Sequence, residues 1–228
     1  MNRLIAPFLI AAALAGPAGA ETRSLSGFQA VDAEDRLTVT IGIGDAYAVD
    51  VTGSDAGRIS THVDGRTLYI EDERRPLLGR SPRLDAHVRV TMPAIESVSA
   101  ARGAQLAANL AGGACDEFSA SAAMGGSANI ENALCNGVSS TAAMGGEVRI
   151  AGTCRRHDVS ASMGGYIRAR DMQCATVDAS ASMGGDINAY ASQSYDASAS
   201  MGGSINVVGG ASASDTSSIM GGSVRSRR

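Results

Sequence analysis

The 228-residue chain has no tryptophan and no lysine, and aromatic residues make up only 4% of it. Globular cores draw much of their buried area from bulky side chains. Much of this chain must therefore stay unfolded or adopt a shape that small residues can fill. Every basic side chain is Arg, and residues 21–228 hold 18 Arg against 23 acidic residues, a net charge of −5. So mildly acidic a chain lacks the field that draws proteins to phosphate backbones, and no nucleic-acid partner is expected. After residue 20 no apolar run is long enough to cross a bilayer, which takes roughly 20 residues. A Gly-x-Ser-x-Gly elbow, a phosphate loop and zinc-ligand spacing are all missing. No catalytic residue, cofactor or metal ligand is therefore expected.

What is present begins with a leader. Arg3 supplies a positive end, Leu4 to Leu14 an apolar run, and Ala18-Gly19-Ala20 a small-residue cleavage site. Residues 1–20 thus read as a signal peptide. No Cys follows the cleavage site, which argues against a lipid anchor. The destination expected is the periplasm, the cell surface or the medium.

The dominant feature is a repeat. Met-Gly-Gly begins at Met124, Met144, Met163, Met183, Met201 and Met220, at spacings of 20, 19, 20, 18 and 19 residues. Four and six residues after each Met lie mostly apolar positions, such as Ile187 and Ala189, with Asn or Arg between them. Two, four and six residues before it lie another apolar set, such as Ala181, Ala179 and Val177. This alternation is that of half-buried strands. Each period is a strand, a glycine turn and a shorter strand, and stacking such periods gives parallel in-register sheets. Gly-Gly in every period disfavours a helical repeat. The Gly and Asp spacing of a calcium β-roll is absent. The six coils span residues 113–228. Met is expected to fill the interior at one edge, with Gly-Gly making the turn; copper or haem ligation by the Met column is the residual reading, without a His or Cys pattern to support it.

Cys115, Cys135, Cys154 and Cys174 each lie nine residues before a Met, so they form one column on four successive coils. Neighbours in that column sit about one strand spacing apart, within disulfide reach. The expected bridges are Cys115–Cys135 and Cys154–Cys174; a Cys135–Cys154 bridge fits the spacing equally and would leave the outer two unpaired.

Residues 21–112 also read as β and are expected to begin or cap the solenoid. Strands are expected around Arg36 to Ile43, Tyr47 to Val51, Thr67 to Ile70 and His87 to Met92, with an exposed loop over Glu71 to Arg83. Two polar columns are the candidate binding face. One carries Asp158, Asp178, Asp196 and Asp215, the other Ser160, Ser180 and Ser198. The plain reading is a solvated face; the sharper one is a cation site or a carbohydrate-facing surface. His62, His87 and His157 are scattered and are assigned structural or surface roles.

Gly27-Phe28 with Val31, Gly65 with Thr67-Leu68 and Ile70, Val88 and Val90 with Met92-Pro93, and the turns Gly185 to Asn188 and Gly203 to Asn206 carry a family resemblance. From about residue 27 onward the chain resembles the putative auto-transporter adhesin, head GIN domain family. The resemblance implies an all-β, right-handed parallel β-solenoid like the pectin lyase fold, with glycine turns joining two sheets. It also implies no catalytic residues and a role in adhesion. Met-Gly-Gly where other members often carry Gly-Ser-Gly, and the Cys column, are departures. The function expected is non-catalytic: adhesion, surface binding or envelope structure, with a surface, a glycan or an envelope protein as partner and self-association through solenoid ends or faces as a further route. The alternative is a polysaccharide-binding or polysaccharide-degrading β-helix protein.

Overall fold

The computed structural model describes residues 20–74 and 84–227. Residues 1–19 of the expected leader, and residues 75–83 of the expected loop, lie outside them. Seventeen strands form one continuous sheet system. In chain order they are β1 (Ala20–Arg23), β2 (Ala30–Ala33), β3 (Thr38–Ile43), β4 (Ala48–Thr52), β5 (Ile59–Asp64), β6 (Thr67–Asp72), β7 (His87–Met92), β8 (Ser97–Ala100), β9 (Gln105–Asn109), β10 (Cys115–Ala123), β11 (Ser127–Ala143), β12 (Glu147–Ser162), β13 (Tyr166–Ala181), β14 (Asp186–Ser200), β15 (Ser204–Val208), β16 (Ser212–Ile219) and β17 (Ser223–Arg227).

From β8 onward the chain winds as a parallel β-solenoid. Each strand pairs in register with its equivalent one coil later, as in Val148↔Ile167↔Ile187↔Ile205. Inward columns are filled by Ala, Val and Ile, and the Ala100, Ala122, Ala142, Ala161, Ala181 and Ala199 column beside the turns is almost wholly buried. Register shifts fall between Ile130 and Ala133, and between Arg149 and Gly152. Variation in repeat length is thus absorbed there in the early coils, whereas later shifts fall between Cys174 and Thr176 and, in the last coil, between Tyr195 and Asp196 within the strand before the turn. In the last coil Thr216 and Ser218 stand where Ala197 and Ala199 stand one coil earlier, and β16 is exposed along its length.

The N-terminal strands join the same stack out of chain order. β2–β3 pairs on one side with β8–β9 and on the other with β6–β7. Three strands then close that end in antiparallel fashion: β5 on β6, β4 on β7, and β1 on β4. Antiparallel closure gives an open stack a different edge from the parallel one it would otherwise present. The core here is bulky, with Phe28, Leu37, Ile41, Leu68, Ile70 and Met92 all buried. The loop expected from Glu71 starts too early, because β6 runs to Asp72. That carboxylate is buried and held by Arg58 Nη2 at 2.8 Å, so burial with a partner keeps an acidic residue inside the strand.

The corner is where the structure corrects the sequence reading. Met does not fill the interior. Met124, Met144, Met163, Met183 and Met201 are 47–49% exposed and Met220 77%. Each Met has φ between 46° and 50°, and the Gly after it φ between 73° and 80°. The second Gly donates its N–H to the carbonyl before Met, as in Gly126 to Ala123 and Gly185 to Ser182, both 2.9 Å. Met and the first Gly are therefore the two central residues of a turn with positive φ at both, as in type I′. The second Gly is needed for space. A Cβ on Gly185 would stand 2.3 Å from the Ala161 carbonyl oxygen one coil earlier. Hydropathy alone places an apolar side chain inward, but the turn backbone points it out.

Candidate binding face

Outward positions on the strands before each turn form two straight ladders. Asp158, Asp178, Asp196 and Asp215 are direct cross-strand neighbours, continuing from Ser97, Ser119 and Ser139. Ser160, Ser180, Ser198 and Ser217 form the second ladder, continuing from Ser99, Ser121 and Thr141. Ser97 and Ser99 were missed from sequence because their coil turns on Arg102-Gly103-Ala104 rather than Met-Gly-Gly. The signal was present: Arg102 has φ 51° and Gly103 φ 83°, the same turn with another side chain.

Like charges at one strand spacing, about 4.8 Å, repel. The first is relieved: Arg156 donates from Nε and Nη2 to Asp158 Oδ1 at 3.2 and 2.9 Å. That hydrogen bond, with the charges of Asp158, Asp178 and Glu117, holds the guanidinium above its ordinary pKa. Among the described residues no ion pair reaches Asp178, Asp196 or Asp215. At the capped end the serine ladder meets Asp32, whose pKa is raised by burial first and by Glu34 second.

The opposite outward face differs in sign. Arg149 and Arg168 are cross-strand neighbours, and Glu147 accepts from both at 3.3 and 3.1 Å. Arg168 lies over the Tyr166 ring at 5.5 Å, and Arg170 donates to Asn188 Oδ1 at 2.8 Å. The rod thus presents a hydroxyl–carboxylate face and a guanidinium–amide face.

The cysteines form bridges Cys115–Cys135 and Cys154–Cys174, each with Cα atoms 4.5 Å apart. Of the three histidines, His157 is fully buried. It occupies an inward column between Val138 and Val177, with Nε2 2.9 Å from Ser140 Oγ and Nδ1 without a partner. Burial pushes its pKa down to about 4, so at neutral pH it is an uncharged core residue. His62 stacks on Tyr69 at 5.2 Å, and His87 is exposed at the start of β7.

A cleft of about 490 Å³ lies where the capped end meets the first disulfide, between Ile43, Ile95, Leu110 and Phe118. Its volume is within the range of small-molecule sites. Two of its carboxylates already have partners: Glu96 with Arg66 at 2.7 Å, and Asp116 accepting from Asn136 Nδ2 at 2.8 Å. Among the described residues no cluster of three His, Cys, Asp or Glu side chains could hold a metal ion, and no helix is long and apolar enough to cross a membrane.

The family model described as putative auto-transporter adhesin, head GIN domain matches residues 27–211. The chain belongs to that family. Among solved structures, a putative adhesin from Bacteroides fragilis NCTC 9343 is similar at 19% identity and a TM-score of 0.79, over 91% of this chain and 95% of that one. A putative lipid binding protein from Parabacteroides distasonis ATCC 8503 is similar at 19% identity and a TM-score of 0.64, over 92% and 98%. A putative adhesin from Parabacteroides merdae ATCC 43184 is similar at 14% identity and a TM-score of 0.59, over 92% and 95%. At these identities the likeness establishes the shared solenoid. Among curated proteins none matches the chain in sequence.

Proposed function

We propose that this GIN-domain protein is an exported, non-catalytic adhesion module that holds a surface polysaccharide or an envelope partner against its hydroxyl–carboxylate face. The observation that carries this is the unbroken ladder from Ser97 and Ser99 to Asp215 and Ser217. A straight row of acceptors and donors repeating at one strand spacing suits a polymeric, hydroxyl-rich ligand that can be gripped at several points. Adhesion is also the role named in the family description, and the two disulfides suit an oxidising compartment outside the cytoplasm.

The degradative alternative has weaker support. A glycosidase needs two carboxyl groups facing across a cleft. The ladder acids stand instead in a row on one flat face. The test is retention of the purified protein on a glycan array and on isolated cell envelopes. Asp178→Ser, Asp196→Ser, Ser180→Ala and Ser198→Ala combined should lower retention at least about tenfold, while Arg149→Ser with Arg168→Ser should leave it unchanged. Equal retention by the ladder variant would remove this face from the function.

A further inference from the structure

The exposed methionines form a column that the fold itself does not require. Met92 and Met172 are fully buried, and every other described methionine stands at a coil corner with at least 47% of its surface exposed. Residues with φ > 0 at the first centre of such a turn are usually Asn, Asp or Gly, because a larger L side chain is strained there by about 1–2 kcal/mol. Six times the chain places a long thioether at this position and turns it out of the core.

The corners are held in register. Ala123 pairs with Ala143, Ala143 with Ser162, and Ser200 with Ile219, each immediately before a Met. Gly125, Gly164, Gly184 and Gly202 donate their N–H groups to the carbonyls of Met144, Met183, Met201 and Met220, all at 3.2 Å. Successive thioethers therefore leave the backbone one coil apart, about 4.8 Å. On the scale of a zinc–sulfur bond, roughly 2.3 Å, a cation held linearly between two sulfurs spans about 4.6 Å. The spacing at which the side chains leave the backbone is close to that span, and the flexible thioether arms can adjust to an ion between them.

We propose that the Met124–Met220 corner column is a binding track for soft monovalent cations, copper(I) or silver(I). Thioethers are soft, uncharged ligands that select such ions over zinc, magnesium or calcium. They do not titrate, so the track works across the pH range. All four cysteines are tied in disulfides and offer no competing thiolate. The residues flanking each Met are Ala, Ser, Ile or Gly, and Arg102, which holds the equivalent corner one coil before Met124, is ion-paired with Glu34.

The test is titration of the disulfide-intact protein with silver nitrate in chloride-free buffer, following the ¹³C-methyl resonances of methionine. Copper(I), delivered anaerobically against a chelator of known affinity, forms a second arm, and zinc a third. The corner methyl signals should shift and saturate at about three ions per chain, one for each pair of sulfurs, while Met92 and Met172 stay in place. Met144→Asn, Met163→Asn and Met183→Asn combined keep a residue suited to the turn, so an unchanged circular dichroism spectrum certifies the fold. This variant should bind silver at least about tenfold more weakly. Unshifted corner signals, equal binding by the variant, or equal occupancy by zinc would each overturn the proposal. Binding of silver without copper(I) would restrict it to silver.

Discussion

The capped end and the repeat end build the same coil from different materials. Around β2, β3, β6 and β7 the interior holds Phe28, Leu37, Ile41, Leu68 and Ile70, and the edges are finished by antiparallel strands and by ion pairs such as Arg58–Asp72. From β10 onward the interior beside the turn is Ala, Phe118, Ile130, Ile150 and Ile167 are buried farther along the strands, the turn is Met-Gly-Gly, and two disulfides join neighbouring coils. A coil can thus close with an outline that changes from one coil to the next, or with a fixed outline. The fixed outline repeats in register, and it is this regularity that makes straight ladders outside.

The contrast can be broken first at its glycines. Gly185→Ala forces a Cβ against the Ala161 carbonyl, with backbone on both sides of the clash. It should cost more than about 3 kcal/mol. Gly65→Ala, at φ 59° with nothing within 4 Å, should cost only about 1 kcal/mol. Urea denaturation of both variants checks this, and similar losses would mean that the repeat corners are no tighter than the cap.

Removing one bridge by Cys154→Ser with Cys174→Ser should cost about 3 kcal/mol in the chain-entropy model. Native-state hydrogen exchange should show the loss in β12–β14, with β2–β7 little changed. Uniform loss of protection would make the two regions one cooperative unit.

The repeat half also holds the pH-sensitive core residue. The folded state disfavours protonated His157, whereas the unfolded chain takes up the proton near pH 6.5. Its effect is therefore full stability above pH 6.5, with a loss of up to about 3 kcal/mol as the pH falls to 4. His157→Val should flatten that part of the stability–pH curve. A slope unchanged in the variant would place the titration elsewhere. The smallest effect is expected on the acidic ladder: Asp178→Ser should raise Tm by about 1–3 °C at low salt, and the gain should shrink as salt screens the column.

Much of the repeat half was legible in sequence, because strand alternation and a steady period specify which residue neighbours which. The inward columns through Val159 and through Val177, the Asp ladder's register and the column of Cys115, Cys135, Cys154 and Cys174 follow from counting; the choice of Cys115–Cys135 and Cys154–Cys174 over Cys135–Cys154 does not. The methionines did not follow, since hydropathy places a thioether inside whereas two positive φ angles in succession place it outside. Nor did the capped end. The strands at Leu37 to Ile43 and His87 to Met92 are readable, but stacking β6–β7 beyond β2–β3 depends on which edge each strand meets. No local period encodes that choice. Ser97 and Ser99 escaped for a related reason: Arg102-Gly103 makes the Met-Gly turn without its letters.

The coil closes without its corner methionines, leaving that column in solvent. Methyl resonances of ¹³C-methionine protein, read with and without a soluble nitroxide, test it directly. Strong broadening is expected for Met124, Met144, Met163, Met183, Met201 and Met220, and none for Met92 or Met172. Protection of the corner methyls equal to that of Met92 would return methionine to the interior and contradict the account.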